Sequence, residues 1–324
     1  MKYSGIIEQS AIIPVSSTTV LLFAIHPFNV ESVAWLAASK ILLYGLFYFL
    51  ALYTYLFYKG SGRKVFYFLT LLLFSISLFA KEQAAILPLT LLLIDFILSG
   101  YRIQKQDLVE KLPFVVLSVF LGFVTMLAQL SDYSGVLSER AQYPFVQRIA
   151  FGAYSLFEYF VKCIIPVKLM YLYPFPNLIG EPLTTIFYFY PIFLLFFLIL
   201  FFRYHQVKWL FFGGAFFIIN LLMVLHIVPI SRFAIVADRY VYVASVGACF
   251  LISCIMHKMV VKAKALFHKR IILAGCFVFA MFLAVYAYKR NLVWHSTETL
   301  KREIKSIIRA RPDYKQLEKK YHGN

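Results

Sequence analysis

Charge is what this sequence has least of. Only 15% of its 324 residues are charged, and acidic residues number 15 against 32 basic ones. A soluble domain carries about 25% charged and about 45 to 50% apolar residues. Here 62% are hydrophobic. A soluble core cannot absorb that surplus, so a water-soluble globular class is excluded. Cysteine is scarce too. Cys163, Cys249, Cys254 and Cys276 all lie in apolar stretches, which reads as small buried hydrophobes rather than a disulfide framework. No Cys and His run has zinc-ligand spacing. The chain has no phosphate-binding Gly loop, Gly-x-Ser-x-Gly elbow or His-Glu-x-x-His, which leaves soluble nucleotide and hydrolase chemistry without a motif. Residues 1 to 5 lack the charged, apolar and small-residue order of a removable signal peptide.

What is present are apolar blocks of roughly 16 to 20 residues separated by short basic stretches, the pattern of repeated bilayer spans. The expected fold is therefore an all-α polytopic membrane bundle with about nine transmembrane helices. The candidate spans are 6–25, 41–58, 65–80, 84–99, 112–130, 184–202, 209–228, 238–256 and 271–288. Abundant Phe (35) and Tyr (23) suit rings placed among lipid headgroups. The stretch 148–165 is apolar but carries Arg148, Glu158 and Lys162, and is expected to be interfacial or re-entrant. With it outside the count, loops 59–64, 100–111, 203–208 and 257–270 share one side and hold 13 Lys or Arg in 38 positions. The opposite loops hold 8 in 82. The dense side is assigned to the cytoplasm, with the N-terminus inside and the C-terminus outside. Much of the net charge of +17 is then topological and calls for no nucleic-acid partner. Residues 1–290 form the membrane domain. The remainder, 291–324, reads as a short outer tail built on one amphipathic helix, Thr297 to Arg309, stopped by Pro312.

Seven acids, Glu31, Glu82, Asp132, Glu139, Glu158, Glu181 and Asp238, fall in outer loops or at outer helix ends. For Asp132, Glu139 and Glu181 the plain reading is a solvated loop charge. Three constellations carry more. His26, Pro27, Glu31 and Trp35 follow the first span, where Pro27 breaks the helix and Glu31 and Trp35 are spaced to share a face. A carboxylate beside an indole suits a sugar platform, while an interfacial anchor and a helix-end cap explain the same residues. Asp238, Arg239, Tyr240 and Tyr242 enter the eighth span, where a helix-start charge is the plainer reading and a cavity-facing pair the functional one. The run Tyr171, Leu172, Tyr173, Pro174, Phe175, Pro176 cannot be a regular helix and reads as a stacking wall or a rigid aromatic loop. Lys81 and Glu82 form a smaller charged pair at another outer end. Asp95 sits near the inner end of its span, where it is expected to meet interfacial water or a basic loop.

These motifs, in this order, resemble the membrane region of the transmembrane and tetratricopeptide-repeat O-mannosyltransferase-like family, especially its bacterial members. The resemblance rests on residues 21–35 (Leu-Leu-Phe-Ala-Ile-His-Pro-Phe-Asn-Val-Glu-Ser-Val-Ala-Trp) and 237–242 (Ala-Asp-Arg-Tyr-Val-Tyr). Residues 79–82 (Phe-Ala-Lys-Glu), 91–95 (Leu-Leu-Leu-Ile-Asp), 110–114 (Glu-Lys-Leu-Pro-Phe) and 173–176 (Tyr-Pro-Phe-Pro) support it. It implies a GT-C-like inverting glycosyltransferase of a bacterial inner membrane, moving a sugar, mannose in the family's name, from a polyprenyl-phosphate carrier to a protein hydroxyl on the outer face. On that resemblance His26, Glu31 and Asp238 take the catalytic or metal side, with or without a divalent metal. Arg239, Lys81 and Lys40 face the donor phosphate, and Trp35, Glu82, Tyr171, Tyr173, Tyr240 and Tyr242 contact sugar or carrier. Asp238 is expected to orient Arg239 or touch sugar.

The chain also departs from the family pattern. An Arg-Lys-Asp or Arg-Ala-Asp run is expected after the tryptophan region, but Ser39, Lys40 and Ile41 stand there. The family's additional leading spans with an acidic loop, and its following helical repeats, are absent from these 324 residues, as in a truncated or divergent member. The expectation is weak carrier-lipid binding without turnover. A non-catalytic scaffold of the same fold is the alternative these departures favour. A transporter or polymer-handling protein is a second alternative, for which paired charges inside spans would be the sign, and Asp95 alone offers itself.

Overall fold

A computed structural model describes residues 6–131, 143–171, 173–177, 180–225 and 234–309. Breaks in the apolar helices set its layout. Helix α1 (Ile12–Ile25) stops because Pro27 lacks the N–H that would continue it, so His26 adopts extended backbone and a 3-10 turn, Pro27–Asn29, follows. The short α2 (Val30–Ala34) comes next, and Gln9–Ile25 and Pro27–Ala34 are bent by 52°. After extended Trp35, α3 (Ser39–Ser61) runs to Gly62, whose left-handed φ of 68° lets its N–H close on the Tyr58 carbonyl at 2.8 Å. The return helix α4 (Lys64–Ala80) packs along α3 and ends at extended Lys81. A 3-10 turn, Glu82–Ile86, leads into α5 (Leu87–Leu98), with Pro88 in its first turn. Then come α6 (Lys105–Ser131), α7 (Phe145–Ile164), α8 (Phe189–Arg203) and α9 (Lys208–Leu221). A 3-10 turn, Asp238–Val241, precedes α10 (Ser245–Lys262), α11 (Leu266–Val293) and the amphipathic α12 (Thr297–Arg309). Among the described residues there is no strand, only an isolated bridge between Tyr173 and Val236.

The chain is thus all-helical among the described residues. Leu36–Ser61, Thr185–Arg203, Ser245–Lys262 and Leu266–Val293 are long and apolar enough to cross a membrane, as an integral membrane protein requires. The bent pair Gln9–Ala34 would make a fifth. Lys64–Ala80 and Lys208–Val224 are apolar but shorter. Two expected spans differ in detail. The stretch 84–99 divides into the 3-10 turn and α5, whose 12 residues rise only about 18 Å. The stretch 238–256 begins as a 3-10 turn, and its α-helix is shifted to Ser245–Lys262. Helix α7 keeps Arg148, Glu158 and Lys162 and is not among the apolar spans.

The two larger buried clusters hold most of the helices together. One gathers Tyr48, Phe74, Leu91 and Phe114 between α3, α4, α5 and α6, and the other gathers Phe28, Phe151, Tyr159 and Leu221. Helices α9 and α10 approach closely at glycine. A Cβ on Gly247 would sit 2.7 Å from the Gly213 carbonyl oxygen. At the end away from His26, fully buried Asp95 accepts from Tyr55 Oη at 2.6 Å and pairs with the ammonium groups of Lys111 and, at 3.2 Å, Lys59. Asp107 pairs with Lys59, and Glu110 with both lysines. Asp95 therefore meets basic side chains, and these tie α3, α5 and α6.

Candidate functional site

The helix breaks gather at the other end of the bundle. The turn of α2 puts Glu31 inward, 1% exposed, facing the 3-10 turn that follows extended Ala237. Arg239 closes on it twice: its backbone N–H donates to Glu31 Oε2 at 2.9 Å and its Nη1 to Oε1 at 2.7 Å. A short 3-10 turn makes this possible by leaving its first N–H groups without intrahelical acceptors. The guanidinium lies 5.4 Å from the Trp35 ring centroid and 4.8 Å from that of Tyr240. Trp35 belongs to an aromatic cluster with Tyr171 at 5.8 Å and Trp294 at 5.7 Å.

Asp238 points elsewhere. Its Oδ1 accepts from Tyr173 Oη at 2.6 Å, and Tyr173 is pinned by the bridge to Val236 and by the Met170 N–H donating to its hydroxyl at 3.0 Å. Burial pushes the Asp238 carboxyl well above the usual carboxylate range, and the nearby charge of Glu31 pushes the same way. Burial, and then Asp238 itself, raise the Tyr173 phenol, which therefore keeps its proton and serves as the donor. Lys162 Nζ lies 5.2 Å from the Tyr173 ring centroid and donates to the Val167 carbonyl at 3.1 Å while pairing with Glu158.

No family model, curated protein or solved structure matches the chain. The residues must therefore speak through their own geometry.

That geometry brings Glu31, Trp35, Tyr171, Tyr173, Asp238, Arg239 and Tyr240 into one neighbourhood from three separate stretches of sequence. Lys81, 6% exposed, joins at its edge, 5.6 Å from the Tyr240 ring centroid and 3.7 Å from the half-exposed Glu82. Three residues take other positions. Both ring nitrogens of His26 are engaged with backbone, Nδ1 accepting from the Phe28 N–H at 3.2 Å and Nε2 facing the Cys163 carbonyl at 3.1 Å. It caps the turn after α1. Tyr242 packs edge-on against Phe23 and lies over Gly45, because a 3-10 turn has three residues per turn and does not align positions 238 and 242. Lys40 is exposed on α3 and makes no ion pair among the described residues. The expectation that Asp238 orients Arg239 is corrected: Glu31 holds the arginine and Tyr173 takes the aspartate. Asp132 and Glu139 lie outside the described residues.

Sequence reading missed Arg290. It is 5% exposed near the end of α11, and its Nη1 donates to Glu303 of α12 at 2.5 Å. Its Nε and Nη2, and Nε1 of Trp294 one turn later, are buried without hydrogen-bond partners. In sequence Arg290 is one of two adjacent basic residues, Lys289 and Arg290, at the end of an apolar stretch. Only the fold of α12 back onto α11 distinguishes it. Among the described residues no group of three metal-ligating side chains forms here, and both Glu31 oxygens serve Arg239. Among the described residues the carboxylates able to converge on an ion are Asp95, Asp107 and Glu110 at the opposite end, where Lys59 and Lys111 already neutralise them.

Proposed function

We propose that this chain is a membrane glycosyltransferase-like protein that recognises a polyprenyl-phosphate sugar and presents it to a protein hydroxyl. The observation that carries the reading is the buried Glu31 to Arg239 pair beside Asp238, assembled across 208 positions at one end of a helical bundle. In this reading Glu31 is a positioning residue that fixes the Arg239 fork. The guanidinium, 24% exposed, faces the carrier phosphate and stabilises it as it leaves. Asp238 acts as general base, its carboxylate taking the proton of the acceptor hydroxyl. The acceptor oxygen attacks the anomeric carbon, the bond from that carbon to the phosphate oxygen breaks, and the hydroxyl proton passes to Asp238. The Trp35, Tyr171 and Trp294 rings offer apolar faces to sugar or carrier. The proposed setting is a bacterial inner membrane with about nine spans, the N-terminus cytoplasmic, and the site and C-terminus periplasmic.

The test is transfer of a radiolabelled sugar from a polyprenyl-phosphate donor to protein, together with binding of the donor in nanodiscs. Asp238→Asn should retain binding while losing ~10² to 10⁴ in transfer rate. Arg239→Gln should weaken both. Binding without any transfer by the wild-type chain would favour the non-catalytic scaffold, a reading supported by the complete engagement of Glu31 and His26. Absence of donor binding would remove both readings.

A further inference from the structure

At the end of the bundle away from Glu31, the segment leading into α1, the start of α9 and the last turns of α10 border a half-open cavity of about 530 Å³. That volume lies within the range of ordinary small-molecule sites. Its wall is divided by chemistry. Ile7, Ala11, Val15 and Cys254 make an apolar floor, while Lys258 and Lys262 bring positive charge to the rim, opposed by Glu8. Cys254, Lys258 and Lys262 recur every four residues, so one stripe of α10 runs from the floor to the rim. Lys258 Nζ stands 4.3 Å from the Trp209 ring centroid, which fixes an ammonium at the mouth.

Trp209 adds an independent sign. The residue lines this cavity, and its indole Nε1–H is buried with no acceptor among the described residues. Buried indole N–H groups normally find a partner, because leaving one unpaired costs free energy. An unpaired donor beside two lysines calls for an anionic acceptor, and the apolar floor calls for a hydrocarbon tail. Lys264 in the turn after α10, and Lys269 and Arg270 at the start of α11, extend the positive field.

We propose that this cavity binds the phosphate headgroup and upper acyl chain of an anionic phospholipid from the leaflet that faces the basic loops. Trp209 donates to a phosphate oxygen, Lys258 and Lys262 neutralise it, and the first methylenes lie on Ala11, Val15 and Cys254. The site is separate from the Glu31 and Asp238 end and does not depend on sugar transfer.

The test is native mass spectrometry of the full chain in detergent, titrated with phosphatidylglycerol and, separately, with phosphatidylcholine. Phosphatidylglycerol should bind more tightly. Lys258→Gln with Lys262→Gln should weaken it by about tenfold or more, since each basic residue near an anionic lipid surface contributes substantially. Trp209→Phe keeps the ring under Lys258 and removes only the donor, so a loss of about fivefold is expected from one hydrogen bond. Both lysines are exposed, and these variants should fold. Equal binding of the two lipids, or phosphatidylglycerol binding unchanged in both variants, overturns the proposal. Displacement of phosphatidylglycerol by an equal concentration of inorganic phosphate would also overturn it, because the acyl chain would then contribute nothing.

Discussion

Glu31 gives one carboxylate oxygen to the Arg239 guanidinium at 2.7 Å and the other to the Arg239 backbone N–H at 2.9 Å. A single acid therefore fixes both the side chain and the main chain of a residue 208 positions away. Breaking a buried ion pair by removing one partner costs about 3 to 5 kcal/mol, and partial exposure of Arg239 places this pair at the low end of that range. Glu31→Gln should lower resistance to denaturant by that amount. Arg239→Lys should restore little, because an ammonium cannot reproduce the fork or its stacking on Trp35. Unfolding in mixed micelles measures both. Equal stability of Arg239→Lys and wild type would show that charge alone matters.

The second prediction concerns Asp95. It is fully buried and faces Lys111 and Lys59. Asp95→Asn leaves two ammonium groups short of a partner and should destabilise by about 3 to 5 kcal/mol. Asp95→Asn combined with Lys111→Met should recover part of that loss. A double-mutant cycle in the same unfolding assay gives the coupling, and additive losses would mean that the two residues do not interact.

Helix packing makes a sharper claim at glycine. Gly247→Ala would push a Cβ to within 2.7 Å of the Gly213 oxygen and 3.0 Å of the Phe217 nitrogen, both backbone atoms that cannot step aside. Overpacking of this kind costs about 1 to 3 kcal/mol. Gly275→Ala, on α11 with nothing within 4 Å of its added Cβ, is the control. It should gain about 0.5 to 1 kcal/mol from helix propensity. Thermal unfolding of the two variants should therefore move in opposite directions.

The pH dependence follows from Asp238. Burial, then Glu31, raises its proton affinity in the folded state above that of the unfolded chain. A carboxyl shifted this way favours folding at low pH, and the contribution is lost as pH rises from the ordinary Asp range through the raised value. Asp238→Asn cannot ionise, so its stability relative to wild type should rise with pH across that window. Unfolding followed from acidic to neutral pH checks the sign, and parallel curves for the two proteins would contradict it.

Much of the architecture is legible in the amino-acid order because its causes are local. Apolar blocks seek hydrocarbon, Pro27 must break α1, and the helix at Thr297–Arg309 follows from its own periodicity. The same local rules mark 26–35, 81–82, 171–176 and 237–242 as irregular charged or aromatic stretches, and seven of the residues flagged there meet. Which residue meets which is another matter. Asp238 and Arg239 are neighbours in sequence, yet the arginine pairs with Glu31 and the aspartate with Tyr173, because a 3-10 turn sends adjacent side chains to different walls of the bundle. Arg290 carries no local mark, and only the return of α12 gives it Glu303. The sequence by itself determined where the chain is apolar, where it must bend and which charges lie near the bends. The tertiary structure decided the partners, since a buried charge is satisfied by whatever the packing of helices brings within hydrogen-bond reach, at any separation along the chain.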